Sequence, residues 1–221
     1  MSMRGIEALF RSVRLPGERA LQRMSIHPNG VTAISVACGL GAAIAFAAGA
    51  LAVAGGLYLA SGILDAYDGR LARASGRASR AGAMLDSVAD RYVELAVFIA
   101  IDLHAADRVT RGAALLALSG SLLVSYARAR GEALGAKLAG VGFLRRPERV
   151  LIIGAGAIGA AVWGPAFLTA VLGLVGVLAH LSAFNRLRSA YLSLRGRTES
   201  SRAPAASSYG ASFSSSGSSG S

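Results

Sequence analysis

Cysteine occurs once in the 221 residues, at Cys38 within an apolar run. No intrachain disulfide can form, so the chain carries no sign of an oxidising compartment, and Cys38 reads as a small buried hydrophobe. Aromatics make up only 6%. The apolar bulk is instead Ala, Leu, Val, Ile and Gly, a mix that suits closely packed membrane helices. Histidine is as scarce, and His104 and His180 stand alone with no assigned chemistry. Acidic residues are also few, 12 against 23 basic, for a formal charge of +11. A soluble chain with that charge would point to nucleic acid. Here 53% of the residues are hydrophobic and the charges lie between apolar runs. That excludes an ordinary soluble domain and a nucleic-acid partner, and makes anionic lipid and substrate phosphate the partners to expect.

The long charge-free runs set the architecture. Residues 31–64 contain no charge. As helix they would extend roughly 50 Å, too long for one crossing of a hydrocarbon core about 30 Å thick. They predict a hairpin turning near 49–56. Residues 150–185 are a second charge-free stretch, two more spans by the same arithmetic, with a turn expected at Trp163-Gly164-Pro165. Two more apolar helices are expected over 82–104 and 111–131. The sum is an all-α polytopic membrane protein with six transmembrane helices.

All but Arg108 and Arg111 of the 23 basic residues fall on one side of this arrangement. The positive-inside rule makes that side cytoplasmic, with both termini there, in the cell (inner) membrane. Residues 1–25 mix Arg with helically spaced Ile6, Leu9, Phe10 and Val13, and predict an interfacial amphipathic helix. The six-helix domain is expected over 26–194. Residues 195–221 are Ser/Gly-rich and predict a disordered tail.

Against this apolar background, residues 64–90 hold four aspartates. Asp65 and Asp68 are i, i+3; Asp86 and Asp90 are i, i+4; each pair shares a helix face. The first pair closes the second helix and the second pair opens the third, so the two pairs can meet across the seam. A carboxylate near a bilayer centre costs roughly 2.5–3.5 kcal/mol. Divalent cations would offset that cost and the mutual repulsion. Hard oxygens without His or Cys select Mg²⁺ or Mn²⁺. Four carboxylates could hold two ions, and two ions can clamp the oxygens of a phosphoryl displacement. Helix capping and pairing with Arg70, Arg73 and Arg91 is the plainer explanation of any one aspartate. A small metal-ion or proton transporter is the alternative functional class.

The full pattern is Asp65-x2-Asp68-Gly69-x2-Ala72-Arg73-x8-Gly82-x3-Asp86-x3-Asp90. It is similar at every fixed position to the signature of the CDP-alcohol phosphatidyltransferases, and the resemblance covers roughly residues 25–190. It implies a six-helix fold, often homodimeric. It also implies a reaction in which the hydroxyl of an alcohol attacks the lipid-side phosphorus of CDP-diacylglycerol and CMP leaves. On the same resemblance Asp65, Asp68, Asp86 and Asp90 form the metal site, with Asp90 as catalytic base. Gly69 and Arg73, with Asp65 and Asp68, match CDP-binding positions. Asn29 and Thr32 match a Pro-Asn-x-x-Thr start of the first span and are candidates for the nucleotide pocket; helix capping explains them equally well.

A second basic cluster runs from 125 to 150. Ser125, Tyr126 and Arg130, then Gly142, Arg146 and Arg149, resemble the branch of that family that makes phosphatidylinositol phosphate. Arg128 stands where that branch has Lys, which keeps the charge and changes the geometry. Arginine forks match phosphate oxygens. Ser125, Arg128, Arg146 and Arg149 are therefore the expected acceptor-phosphate residues, with inositol 1-phosphate first and glycerol 3-phosphate second. Glu94 continues the i, i+4 series from Asp86 and Asp90 and is either a support for the site or half of a salt bridge. Arg186, Arg188 and Arg195 read as membrane anchors, one of which could reach the same pocket.

Overall fold

The computed structural model describes residues 28–74, 79–138 and 140–202; side chains at 28–29, 68–74 and 196–202 are outside that description. Six α-helices and no strand make up the described residues: α1 (Pro28–Ala47), α2 (Leu51–Ala74), α3 (Arg80–His104), α4 (Arg108–Ala133), α5 (Arg146–Trp163) and α6 (Pro165–Arg202). The expected interfacial helix at 1–25 lies outside the described residues.

Breaks fall where backbone chemistry demands them. Gly49 takes φ 74°, a left-handed conformation that ends α1 and turns the chain into α2. Gly164, at φ 91°, separates α5 from α6, at the expected Trp163-Gly164-Pro165 turn. Ser79 caps α3 by accepting from the Gly82 backbone N–H at 3.0 Å, so α3 starts at Arg80 rather than 82. Asp107 does the same for α4 by accepting from the Thr110 N–H at 2.8 Å, which places its start at Arg108 rather than 111. The last helix continues past 195, where the tail is expected, to Arg202. Extending an existing helix needs no new nucleus, and cations near its end suit the helix dipole. Residues 203–221 are outside the described residues.

Small residues let the helices approach. α1 packs on α2 and α3, α2 on α5, and α6 on α4 and α5. A Cβ on Gly55 would stand 2.4 Å from the Gly154 carbonyl oxygen, so α2 and α5 touch backbone to backbone. The buried face of α1 is Val31, Ser35, Ala42 and Phe46. Ser35 donates to the Ser61 carbonyl at 2.9 Å, which satisfies a hydroxyl in the apolar interior. The outside is as apolar as the inside. Ile44, Leu103, Val109, Val162 and Leu192 are all largely exposed, which a water-facing surface would not tolerate at this density.

This is an integral membrane protein. Three segments are long and apolar enough to cross a membrane on composition alone: Gly30–Ala47, Arg108–Ala133 and Pro165–Arg195. α2 is apolar only over Leu51–Tyr67. Asp65 falls at the end of that stretch, the residues after it carry Asp68, Arg70 and Arg73, and α3 likewise opens with charged turns. The charges that dilute these helices are those that build the site.

Candidate active site

α2 and α3 deliver the acidic residues. Asp65 on α2 and Asp86 and Asp90 on α3 each offer a carboxylate oxygen within 4.8 Å of the others, all half-buried. The seam expected from the sequence therefore exists for these three. Asp68, Gly69 and Arg73 lie in the last turns of α2, and Asn29 in the first turn of α1; their side chains are outside the described set. Thr32 sits in that same first turn of α1.

The donor set fits a divalent cation. It is all carboxylate oxygen, with no imidazole or thiolate, which suits a hard ion such as Mg²⁺ or Mn²⁺. Among the described residues, the cation paired with Asp65 and Asp90 comes from a third helix. Arg146, the first residue of α5, reaches across 81 positions of sequence. Its Nη1 donates to Asp65 Oδ2 at 2.6 Å and its Nη2 pairs with Asp90 Oδ1 at 2.6 Å.

Beside Asp90 opens a cavity of about 730 Å³. Ser125, Arg128, Arg146 and Arg149, the four expected acceptor-phosphate residues, all line it. Three arginines join them, Arg91, Arg145 and Arg186. Arg91 follows Asp90 directly in sequence, and its only visible signal is that adjacency. Arg186 is the first charge after a long apolar run, and of the three arginines after the last span it is the one that lines the cavity.

The arginines are held in different ways. Arg149 and Glu94 are each only 1% exposed. Arg149 Nε and Nη2 donate to Glu94 Oε1 at 3.1 and 2.8 Å, and its Nη1 donates to the Leu144 carbonyl at 3.1 Å. Glu94 Oε2 receives Arg91 Nη1 at 2.5 Å, and the same Arg91 nitrogen is 2.8 Å from Ser125 Oγ. One buried carboxylate thus fixes two cavity arginines. Glu94 is both a salt-bridge partner and a support for the cavity wall. Arg128 pairs with Glu132 at 3.0 Å near the mouth, half-exposed. Arg186 is 4% exposed; its Nη1 donates to the Val124 carbonyl at 2.9 Å, while its Nε finds no partner among the described residues.

Gly142 has a local reason to be glycine. Its φ is 86°, and a Cβ there would stand 2.5 Å from Arg186 Nε. The loop before α5 can therefore lie directly over Arg186. Ser182 donates to the Phe143 carbonyl and fastens that loop to α6. Tyr126 is largely exposed yet lines the cavity, and Arg130 is exposed.

A carboxylate cluster fitted to a cation, adjoining a cavity rich in guanidinium groups, can hold a metal-bound diphosphate on one side and a free phosphate on the other. Comparison with known proteins agrees. The profile of the CDP-alcohol phosphatidyltransferase family matches residues 25–185. The phosphatidylinositol phosphate synthase of Mycobacterium tuberculosis is 33% identical over 195 residues, 84% of this chain and 89% of that protein. The archaetidylinositol phosphate synthase of Methanothermobacter thermautotrophicus is 36% identical over 157 residues, 71% of this chain and 78% of that one. Crystal structures of the M. tuberculosis enzyme superpose with a TM-score of 0.71 at 31% identity over 80% of this chain. One has CDP-DAG bound and covers 93% of its chain; the other is a complex with manganese and citrate and covers 88%. The transporter alternative gives way to these matches. This chain belongs to the CDP-alcohol phosphatidyltransferase family, and it is an enzyme of phospholipid synthesis.

Proposed function

We propose that this enzyme transfers a phosphatidyl group from CDP-diacylglycerol to inositol 1-phosphate and releases CMP. The observation that carries the acceptor is the arginine cavity beside Asp90. Its six arginines exceed what positive-inside topology asks for, and a phosphomonoester is the ligand that answers them. The two relatives differ in the lipid part of their names and share the inositol phosphate part. That is the pattern expected if the headgroup pocket is the common feature.

Asp65, Asp68, Asp86 and Asp90 would hold two ions, Mg²⁺ or Mn²⁺, and these would polarise the phosphoryl oxygens of the diphosphate. Gly69 and Arg73 bind the CDP moiety, with Asn29 and Thr32 in the nucleotide pocket. Arg146 and Arg149, with Ser125 and Arg128, orient the acceptor phosphate so that a ring hydroxyl faces the lipid-side phosphorus. Asp90 accepts the hydroxyl proton as the oxygen attacks, because it is the one carboxylate that belongs to both the acidic cluster and the cavity. The bond to the CMP oxygen breaks, and CMP leaves.

All six helices cross the bilayer in this reading, with both termini and the site on the cytoplasmic side and a homodimer as the working unit. Purified protein in detergent, given CDP-diacylglycerol and Mg²⁺, is expected to release CMP with inositol 1-phosphate. It is expected not to do so with inositol, serine or no acceptor. Asp90→Asn should lower that rate by about 10²–10⁴-fold. Equal or faster release with glycerol 3-phosphate would overturn the acceptor assignment. Light scattering of the same preparation tests the dimer.

A further inference from the structure

Arg146 occupies a position that a cation would need. It bonds Asp65 from α2 and Asp90 from α3 at once, both at 2.6 Å, and those carboxylates belong to the cluster that fits a divalent ion. A divalent cation held by the same carboxylates would repel the guanidinium and compete with it for Asp65 Oδ2 and Asp90 Oδ1. Metal binding therefore works against this placement of Arg146.

The surroundings limit where it can go. Its side chain is 12% exposed, so bulk water receives it poorly. The glutamates nearby already have partners among the described residues. Glu94 is bonded to Arg91 and Arg149, Glu132 to Arg128, and Glu148 accepts from the Arg145 backbone N–H. The remaining direction is the cavity, which Arg146 also lines. That cavity holds arginines and no spare carboxylate among its described lining other than Asp90 itself. A guanidinium turned into it needs an anion from outside the protein.

We infer that Arg146 is a two-position residue that exchanges the acidic cluster for an incoming phosphate, so that the acceptor site is completed only after a divalent cation has bound. Before the cation arrives, Arg146 bridges α2 and α3 and offsets the repulsion among the carboxylates. Afterwards it becomes a donor to the acceptor phosphate. The identity of the anion as an acceptor's phosphate rests on the function proposed above; the exchange itself rests on the geometry. The order it imposes keeps an acceptor from settling in a site that cannot react. Linkage makes the coupling reciprocal: the factor by which cation tightens phosphate is the factor by which phosphate tightens cation.

The test is Mn²⁺ binding, read as free Mn²⁺ by electron paramagnetic resonance, with and without inorganic phosphate and with no CDP-lipid present. Arg146→Ala is expected to bind Mn²⁺ about tenfold more tightly than wild type without phosphate, since two charge-assisted hydrogen bonds no longer compete. Phosphate is expected to tighten Mn²⁺ in wild type and to do so clearly less in Arg146→Ala. Arg145→Ala removes a charge from the same cavity without touching the carboxylates, and should leave Mn²⁺ affinity within about twofold, as a screened charge would. Arg146→Lys, which keeps the charge but cannot fork across two carboxylates, should fall between wild type and alanine. Unchanged Mn²⁺ affinity in Arg146→Ala, equal tightening in Arg145→Ala, or no effect of phosphate on wild type would each overturn the exchange. Because no acceptor alcohol is used, the exchange can hold while inositol 1-phosphate fails as acceptor, and the reverse.

Discussion

Glu94 shows how much of a membrane active site depends on a residue that touches no substrate. Its two oxygens hold Arg149 and Arg91, and through them one wall of the cavity. Removing one side of a buried ion pair costs about 3–5 kcal/mol, because the other side is left charged and unpaired. Glu94→Ala should therefore lower thermal stability by that order, read by thermal unfolding in detergent. Glu94→Gln keeps the volume and most of the bonding. It should raise KM for the acceptor several-fold while leaving KM for CDP-diacylglycerol nearly unchanged. Equal changes in both would mean that Glu94 serves stability alone. At this scale, reading the sequence succeeds where partners are local. Asp86 and Asp90 are one helical turn apart, and their shared face follows from 3.6 residues per turn. The ion pairs of Arg146 with Asp65 and of Arg149 with Glu94 bridge 81 and 55 positions, and no local period encodes them. The sequence offered Arg70, Arg73 and Arg91 as partners for the aspartates; the described residues add Arg146 for Asp65 and Asp90, while the side chains of Arg70 and Arg73 lie outside the description.

Among the helices, apolar run length locates the spans, and short polar side chains locate their ends. Run length predicts a turn near 49–56, and of the three glycines there only Gly49 makes it. Gly55 lies within α2 and is there for contact, with the Gly154 carbonyl where its Cβ would be. A glycine that turns and a glycine that packs look alike until the partner helix is known. Gly55→Ala should separate α2 from α5 and cost about 1–3 kcal/mol, seen as a lower unfolding temperature. The α3–α4 connection makes a pH prediction. The Thr110 hydroxyl, at 2.6 Å, and the Thr110 backbone N–H hold the Asp107 carboxyl below its ordinary range. A lowered folded-state value means the cap is fully present at neutral pH and is lost as the pH falls through that value, below about 4. Hydrogen exchange at the Thr110 amide should speed up relative to neighbouring amides on acidification to pH 3, and Asp107→Ala should abolish the difference.

Across the molecule, charge asymmetry and site agree. Among the described residues, the acidic cluster and the arginine cavity share one end of the bundle, while Arg108 and Arg111 start α4 at the other. In a Cys38→Ser background, Ala106→Cys should react with an impermeant thiol reagent from outside intact cells. Arg188→Cys should react only after the cells are opened. The reverse labelling would invert the proposed topology. This asymmetry was legible from composition alone, because lipid and membrane potential act on counts of charge rather than on their partners.

On the proposed reaction, water is the competitor the enzyme cannot avoid, since it too carries a hydroxyl and would split the CDP-lipid without making product. The cavity answers it by positioning. Of its six arginines, Arg91, Arg128, Arg146 and Arg149 are held in place by carboxylates, while Arg186 keeps a buried Nε with no partner among the described residues. An acceptor whose phosphate is gripped there carries its hydroxyl to Asp90 in a fixed orientation, an advantage of proximity that a loose water lacks. Fidelity here would come from the grip on a group remote from the reacting oxygen.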